Sequence, residues 1–169
     1  MRSNGRYAEI KPLLESKTIK KYSDIFTVAV TKTIVARDLK ININHFTKMI
    51  ASPANFKMRK IIRQGELFDL TLNQMIELIE KESSGKKESI DHEKKDSRYR
   101  KIKTMLRIGR IKRFVDIFAF VPKYIVARDI NKGRSRWGNY GNYTFGQVRK
   151  LAELCELPFM EMYQLIVHP

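Results

Sequence analysis

The chain has 169 residues and a mass of 19.9 kDa, room for one ordinary domain or two small ones, so a large multidomain enzyme is excluded. Thirty-four Lys and Arg against 18 Asp and Glu give a formal net charge of +16, which points to polyanionic partners, nucleic acid before an anionic membrane surface. With 43% hydrophobic residues, 8 Gly and 5 Pro the chain can bury a core, and its one cysteine, Cys155, excludes an internal disulfide and a cysteine metal cage.

The opening residues, Met1-Arg2-Ser3-Asn4-Gly5-Arg6, are polar and basic, and no apolar segment of the export-signal kind follows them. No uncharged apolar run approaches the roughly 20 residues that a membrane span requires. A soluble, cytoplasmic protein is expected. Apolar residues at helical spacing predict short helices carrying Ile19, Tyr22, Ile25 and Phe26, then Ile34, Val35, Leu39 and Ile41, then Ile43, Phe46, Met49 and Ile50. Pro53 ends the third, and the turn around Asn55 starts a fourth with Met58, Ile61 and Ile62; a fifth carries Leu72, Met75, Ile76 and Ile79. Strand-like alternation is confined to Phe26–Val30, so the fold class is all-α.

Residues 80–97 are charged and poor in large apolar groups, as a solvated linker is. The boundaries read as a first unit over 1–82, a linker over 83–97 and a second unit over 98–169. Arg98 to Arg113 then holds eight basic residues in sixteen and no acid, with Ile102, Met105, Leu106 and Ile108 as an inward face. Residues 1–85 carry 15 basic and 9 acidic groups and residues 86–169 carry 19 and 9, so the second half is the more basic.

The second unit repeats the first. Ile19-Lys-Lys-Tyr-Ser-Asp-Ile-Phe26 returns 92 residues later as Ile111-Lys-Arg-Phe-Val-Asp-Ile-Phe118, and Ile34-Val-Ala-Arg-Asp38 returns 91 later as Ile125-Val-Ala-Arg-Asp129. Arg59-Lys60, Glu66-Leu67, Gln74 and Ile76 find counterparts 90 residues on, at Arg149-Lys150, Glu156-Leu157, Gln164 and Ile166. Each copy spans about 65 residues, from Leu13 to Glu80 and from Met105 to Val167. Two copies kept for stability alone are the plainer alternative.

The run Thr33-Ile-Val-Ala36-Arg-Asp-Leu39-Lys-Ile41-Asn42, followed by Phe46, Pro53, Met58 to Ile62 and Leu67 to Leu72, resembles the helix-turn-helix domain of the lambda-repressor-like (Xre) family. A small residue at Ala36 lets two helices cross closely. Lys40 stands where the family usually has Gly in the turn. The resemblance implies two tandem five-helix helix-turn-helix-like units and binding of double-stranded DNA, as a transcriptional regulator or accessory protein of bacteria or their phages. It places a helix over about Asn42 to Ile50 in the major groove, with Asn42, Asn44, His45 and Lys48 at the base edges while Ile43, Phe46, Met49 and Ile50 turn inward. The plainer alternative is a polar helix face capped by Asn42.

Backbone contacts are expected from Lys32, Arg98, Arg100, Lys101, Arg134 and Arg136, because guanidinium and ammonium groups hold phosphates. Gly133, Gly138 and Gly141 shorten or distort the third helix of copy two, or leave a loop there. Trp137 falls on the Phe46 position, where it plugs the core; with Tyr140 and Tyr143 it also forms an aromatic cluster able to stack on exposed bases. His45, His92 and His168 show no ligand spacing, Cys155 lies among Leu151, Ala152, Leu154 and Leu157 as a small core residue, and no phosphate-cradling loop is present. No enzyme, cofactor, metal, membrane or small-molecule ligand is expected. Self-association into a homodimer stays open, as do two alternatives to duplex DNA: a protein-interaction or structural module, and an RNA-binding protein.

Overall fold

The computed structural model describes residues 5–83, 97–133, 137 and 140–167, which form helices joined by turns and short irregular segments, with no strand among them. The chain divides into two compact units, Met1–Glu88 and Ser89–Pro169. In unit 1 a 3₁₀ turn at Gly5–Tyr7 precedes α1 (Ile10–Glu15), and a second at Tyr22–Asp24 runs into α2 (Ile25–Val28). Then follow α3 (Lys32–Asp38), α4 (Ile43–Ala51), a 3₁₀ turn at Pro53–Asn55, α5 (Met58–Phe68) and α6 (Leu72–Ser83). Unit 2 runs through a 3₁₀ turn at Ser97–Lys101, α7 (Ile102–Arg107), a 3₁₀ stretch at Phe114–Ala119, α8 (Lys123–Asp129), a 3₁₀ turn at Tyr140–Asn142, α9 (Phe145–Cys155) and α10 (Phe159–Val167).

Several expectations shift. Phe26–Val30, the strand-like stretch, overlaps α2 and holds its C-cap, Ala29. Pro53 opens a 3₁₀ turn one residue after the end of α4, and Asn55 closes that turn, so the fourth helix of the prediction starts at Met58 behind Lys57. Ile108 lies beyond α7 and is 59% exposed, so it supplies no inward face; Ile102 is buried, and Met105 and Leu106 are half-buried.

The repeat is longer than its apolar pattern, and its last third has a different register. Tyr7 donates its hydroxyl proton to Asp38 Oδ2 at 2.6 Å, and Tyr99, 92 residues on, donates to Asp129 Oδ2 at 3.0 Å. The correspondence therefore reaches back to the first described turn of each unit. Asp24 accepts from the backbone N–H of Lys20 and Lys21 at 2.9 and 3.0 Å, and Asp116 from Lys112 and Arg113 at 3.0 and 2.9 Å, so each carboxylate satisfies donors that open a helix. These bonds hold the Asp116 carboxyl below its ordinary range.

In the C-terminal helix pair the equivalent residues are 87 apart, not 90. Two 11-residue helices, α5 and α9, end at Asp69 and Glu156 in the left-handed region (φ 54° and 56°), and Leu70 and Leu157 then donate N–H to Gly65 and Ala152 carbonyls, both at 2.9 Å. The same offset superposes the buried sets Met75, Ile76, Leu78, Ile79 and Met162, Tyr163, Leu165, Ile166. Identities at an offset of 90, Glu66-Leu67 with Glu156-Leu157 among them, join positions that play different parts.

An aromatic cluster fills the middle of each unit. Tyr22 meets Phe26 and Phe56 edge-on, with ring centroids 5.2 and 5.5 Å apart, and Phe26 meets Phe46 at 5.5 Å. In unit 2 Phe114 meets Phe118 and Tyr143 at 5.4 and 5.8 Å, and Phe118 meets Trp137 at 5.0 Å. Ring pairs of this geometry contribute roughly 0.5–1.5 kcal/mol each beyond burial.

Candidate nucleic-acid interface

Helix α3 ends because Lys40 turns left-handed (φ 55°), which lets Ile41 donate its N–H to the Ala36 carbonyl at 2.8 Å. Lys40, the residue in the glycine position, thus adopts the conformation glycine favours. Four residues, Leu39 to Asn42, separate α3 from α4, and the two helices pack together over buried Val35, Ala36 and Leu39.

Asn42 begins α4 as its cap: Oδ1 accepts from the N–H of Asn44 at 2.9 Å and of His45 at 3.4 Å. Its oxygen is committed to the helix, so the bidentate base contact expected of Asn42 is not open to it in this conformation. Phe46, Met49 and Ile50 are buried. Ile43 is 37% exposed rather than inward. Asn44, His45, Thr47 and Lys48 are exposed, and α4 contains no acidic residue. The outer face of α4 is therefore polar and positive, with Ile43 its one large exposed apolar side chain among the described residues.

Of the expected backbone contacts, Lys32 is exposed at the start of α3. Arg98, Arg100 and Lys101 are exposed on the 3₁₀ turn that Tyr99 anchors to Asp129. Arg134 and Arg136 lie outside the described residues, as does the side chain of Tyr140. Trp137 stacks on Phe114 with centroids 5.9 Å apart and an interplanar angle of 17°, and its carbonyl accepts from the Tyr143 hydroxyl at 3.1 Å. Both rings are buried. Trp137 thus occupies the Phe46 position as expected, and neither it nor Tyr143 is available to stack on a base, which removes that platform for RNA. Burial raises the Tyr143 hydroxyl well above its usual range.

Lys132, Gly133 and Trp137, the described residues between Asn131 and the 140–142 turn, are not helical. Unit 2 presents no counterpart to α4 among its described residues.

A basic group at α5 escaped the sequence reading, which used Arg59-Lys60 only as a repeat marker. Lys57, Arg59, Lys60 and Arg63 stand on the solvent edge of this helix, opposite buried Met58, Ile61, Gln64 and Phe68. Four cations in seven residues were countable, but only the helix phase shows that Arg59, Lys60 and Arg63 leave the core on one side, with Lys57 exposed at the extended residue just before the helix. No protein-family model matches the chain, and searches of curated proteins and of solved structures find no match either. No helix among the described residues is long and apolar enough to cross a membrane, and none of their His, Cys, Asp and Glu side chains form a group fit to hold a metal ion.

Proposed function

We propose that the protein binds double-stranded DNA inside the cell, as a transcriptional regulator or accessory DNA-binding protein, with α4 in the major groove. The observation that carries this reading is the acid-free outer face of α4, where Asn44, His45 and Lys48 stand exposed behind a four-residue turn. Asn pairs with adenine and Lys reaches a guanine edge or a phosphate, and the charge of +16 supplies the attraction that precedes any reading. Asn42 acts by fixing where α4 begins.

Selection of binding sites from random duplex DNA by the full chain tests it. Asn44→Ala with Lys48→Ala should reduce discrimination between selected and random sites by about 1–3 kcal/mol for each base pairing lost, with a smaller change in affinity for random DNA. Equal losses on every sequence would move both residues to phosphates and end the base-reading assignment.

A second reading, a protein-interaction module, draws on unit 2. Ile108, Val115 and Tyr124 are 59%, 45% and 59% exposed, at positions where unit 1 has Ser16, Ser23 and Thr33. If selection enriches no sequence and duplex binding is weak, this reading takes precedence.

A further inference from the structure

Lys57 stands at the N-cap position of α5, and Arg59, Lys60 and Arg63 follow within its first turn and a half. Lys57 and Lys60, and Lys60 and Arg63, are three residues apart; Arg59 and Arg63 are four apart. At these spacings helical side chains are neighbours, and like charges repel. Lys60 is half-buried, and burial followed by repulsion from Arg59, Arg63 and Lys57 lowers its affinity for a proton. None of the four joins an ion pair among the described residues, not even Arg63 with Glu66 one turn on. The helix dipole adds further positive potential at this end.

Unit 2 shows that the frame does not require three of these four cations. The positions 87 residues on are Thr144, Gly146, Gln147 and Lys150. There Thr144 Oγ1 accepts from the Gln147 N–H at 3.2 Å and Gln147 Oε1 accepts from the Thr144 N–H at 3.1 Å, an uncharged capping box that opens a helix of the same length. A packing role therefore leaves Lys57, Arg59 and Lys60 unexplained, whereas a polyanion lying along the group would supply the missing counter-charge. Lys57 to Arg63 covers about 9 Å of helix at 1.5 Å per residue. One strand of a duplex offers roughly two or three phosphates over that length.

We propose that Lys57, Arg59, Lys60 and Arg63 form a phosphate-binding edge for the same duplex that α4 reads, an assignment resting on the DNA reading of α4. The test is fluorescence anisotropy of the full chain with a random-sequence duplex between about 50 and 200 mM salt. The parent is compared with the triple variant Arg59→Gln, Lys60→Gln, Arg63→Gln and with a charge-matched control, Lys17→Gln, Lys20→Gln, Lys81→Gln, whose side chains are exposed elsewhere on unit 1.

The cluster variant should lose about 2 to 3 from the slope of log affinity against log salt, and about tenfold or more in affinity at the lower salt, while the control changes by less than 1. Its Tm should match or exceed the parent's, since repulsion has been removed; a fall in Tm with an unchanged slope would assign the cluster to stability. Equal slope changes in both triples would reduce the cluster to bulk charge and overturn the site. So would a slope change seen with single-stranded RNA and not with duplex. If the parent itself fails to bind duplex, the α4 reading falls and the site with it; parent binding with an unaltered slope in the cluster variant overturns the site alone.

Discussion

Between the left-handed residue of the turn and the next 3₁₀ turn, unit 1 has residues 41–52, twelve in all, and unit 2 has residues 132–139, eight. On either side of this stretch the two units match: a Tyr–Asp hydrogen bond, an Asp cap, an edge-on ring cluster, and a helix pair with a left-handed joint. Among the described residues of this stretch, both units deliver an aromatic ring to the cluster, Phe46 in one and Trp137 in the other. In both units a ring closes the cluster at that point. The polar outer face of α4 takes no part in that packing, which makes it a place for function.

The comparison breaks first at those two rings. Phe46→Ala and Trp137→Ala should each destabilise the unit that holds them by about 3–5 kcal/mol, since each empties a fully packed cluster. Urea unfolding followed separately in the two units by NMR reads this out. A cost below about 1 kcal/mol for Trp137→Ala would mean that unit 2 is closed by something other than the ring.

Smaller and more informative is the buried pair Tyr22 and Gln64. The Tyr22 hydroxyl donates to Gln64 Oε1, the Gln64 Nε2 has no partner in its buried position, and the equivalent pair in unit 2 is Phe114 and Leu151. Tyr22→Phe alone should cost about 1–3 kcal/mol, because a buried acceptor loses its donor; adding Gln64→Leu should bring stability back to the parent level or above. A double variant as unstable as the single one would show that the two cores are not interchangeable.

The smallest effect sharpens the turn comparison. Left-handed backbone costs a non-glycine residue roughly 1–2 kcal/mol, offset by the roughly 0.5–1 kcal/mol that glycine loses in entropy on folding. Lys40→Gly should therefore raise stability by a few tenths of a kcal/mol to about 1. Asn131→Gly should change little, since Asn tolerates this region (φ 51° here). A Tm that falls with Lys40→Gly would show that the lysine side chain supports the turn.

The site was only partly legible in the residues. Asn44, His45 and Lys48 follow from the phase of a helix whose apolar side is Phe46, Met49 and Ile50, and the structure exposes all three. Ile43 was misassigned because the first residue of a helix lies at its edge, where apolar spacing no longer fixes burial. Asn42 carries one signal, an Asn before a helix, that fits a cap and a base contact equally well.

By itself the sequence determined the helical class, the return of its segments 91 and 92 residues on and the alignment of Trp137 with Phe46. All three rest on periodicity and spacing, which act along the chain. Tertiary structure alone decided the 87-residue register of the last two helices, the Tyr7–Asp38 and Tyr99–Asp129 clasps, and the gathering of Arg59, Lys60 and Arg63 on one side of α5 behind Lys57. The physical reason is common to them: letter identity is blind to burial, whereas packing selects the residues that face inward and leaves the remaining charges to find partners outside the fold.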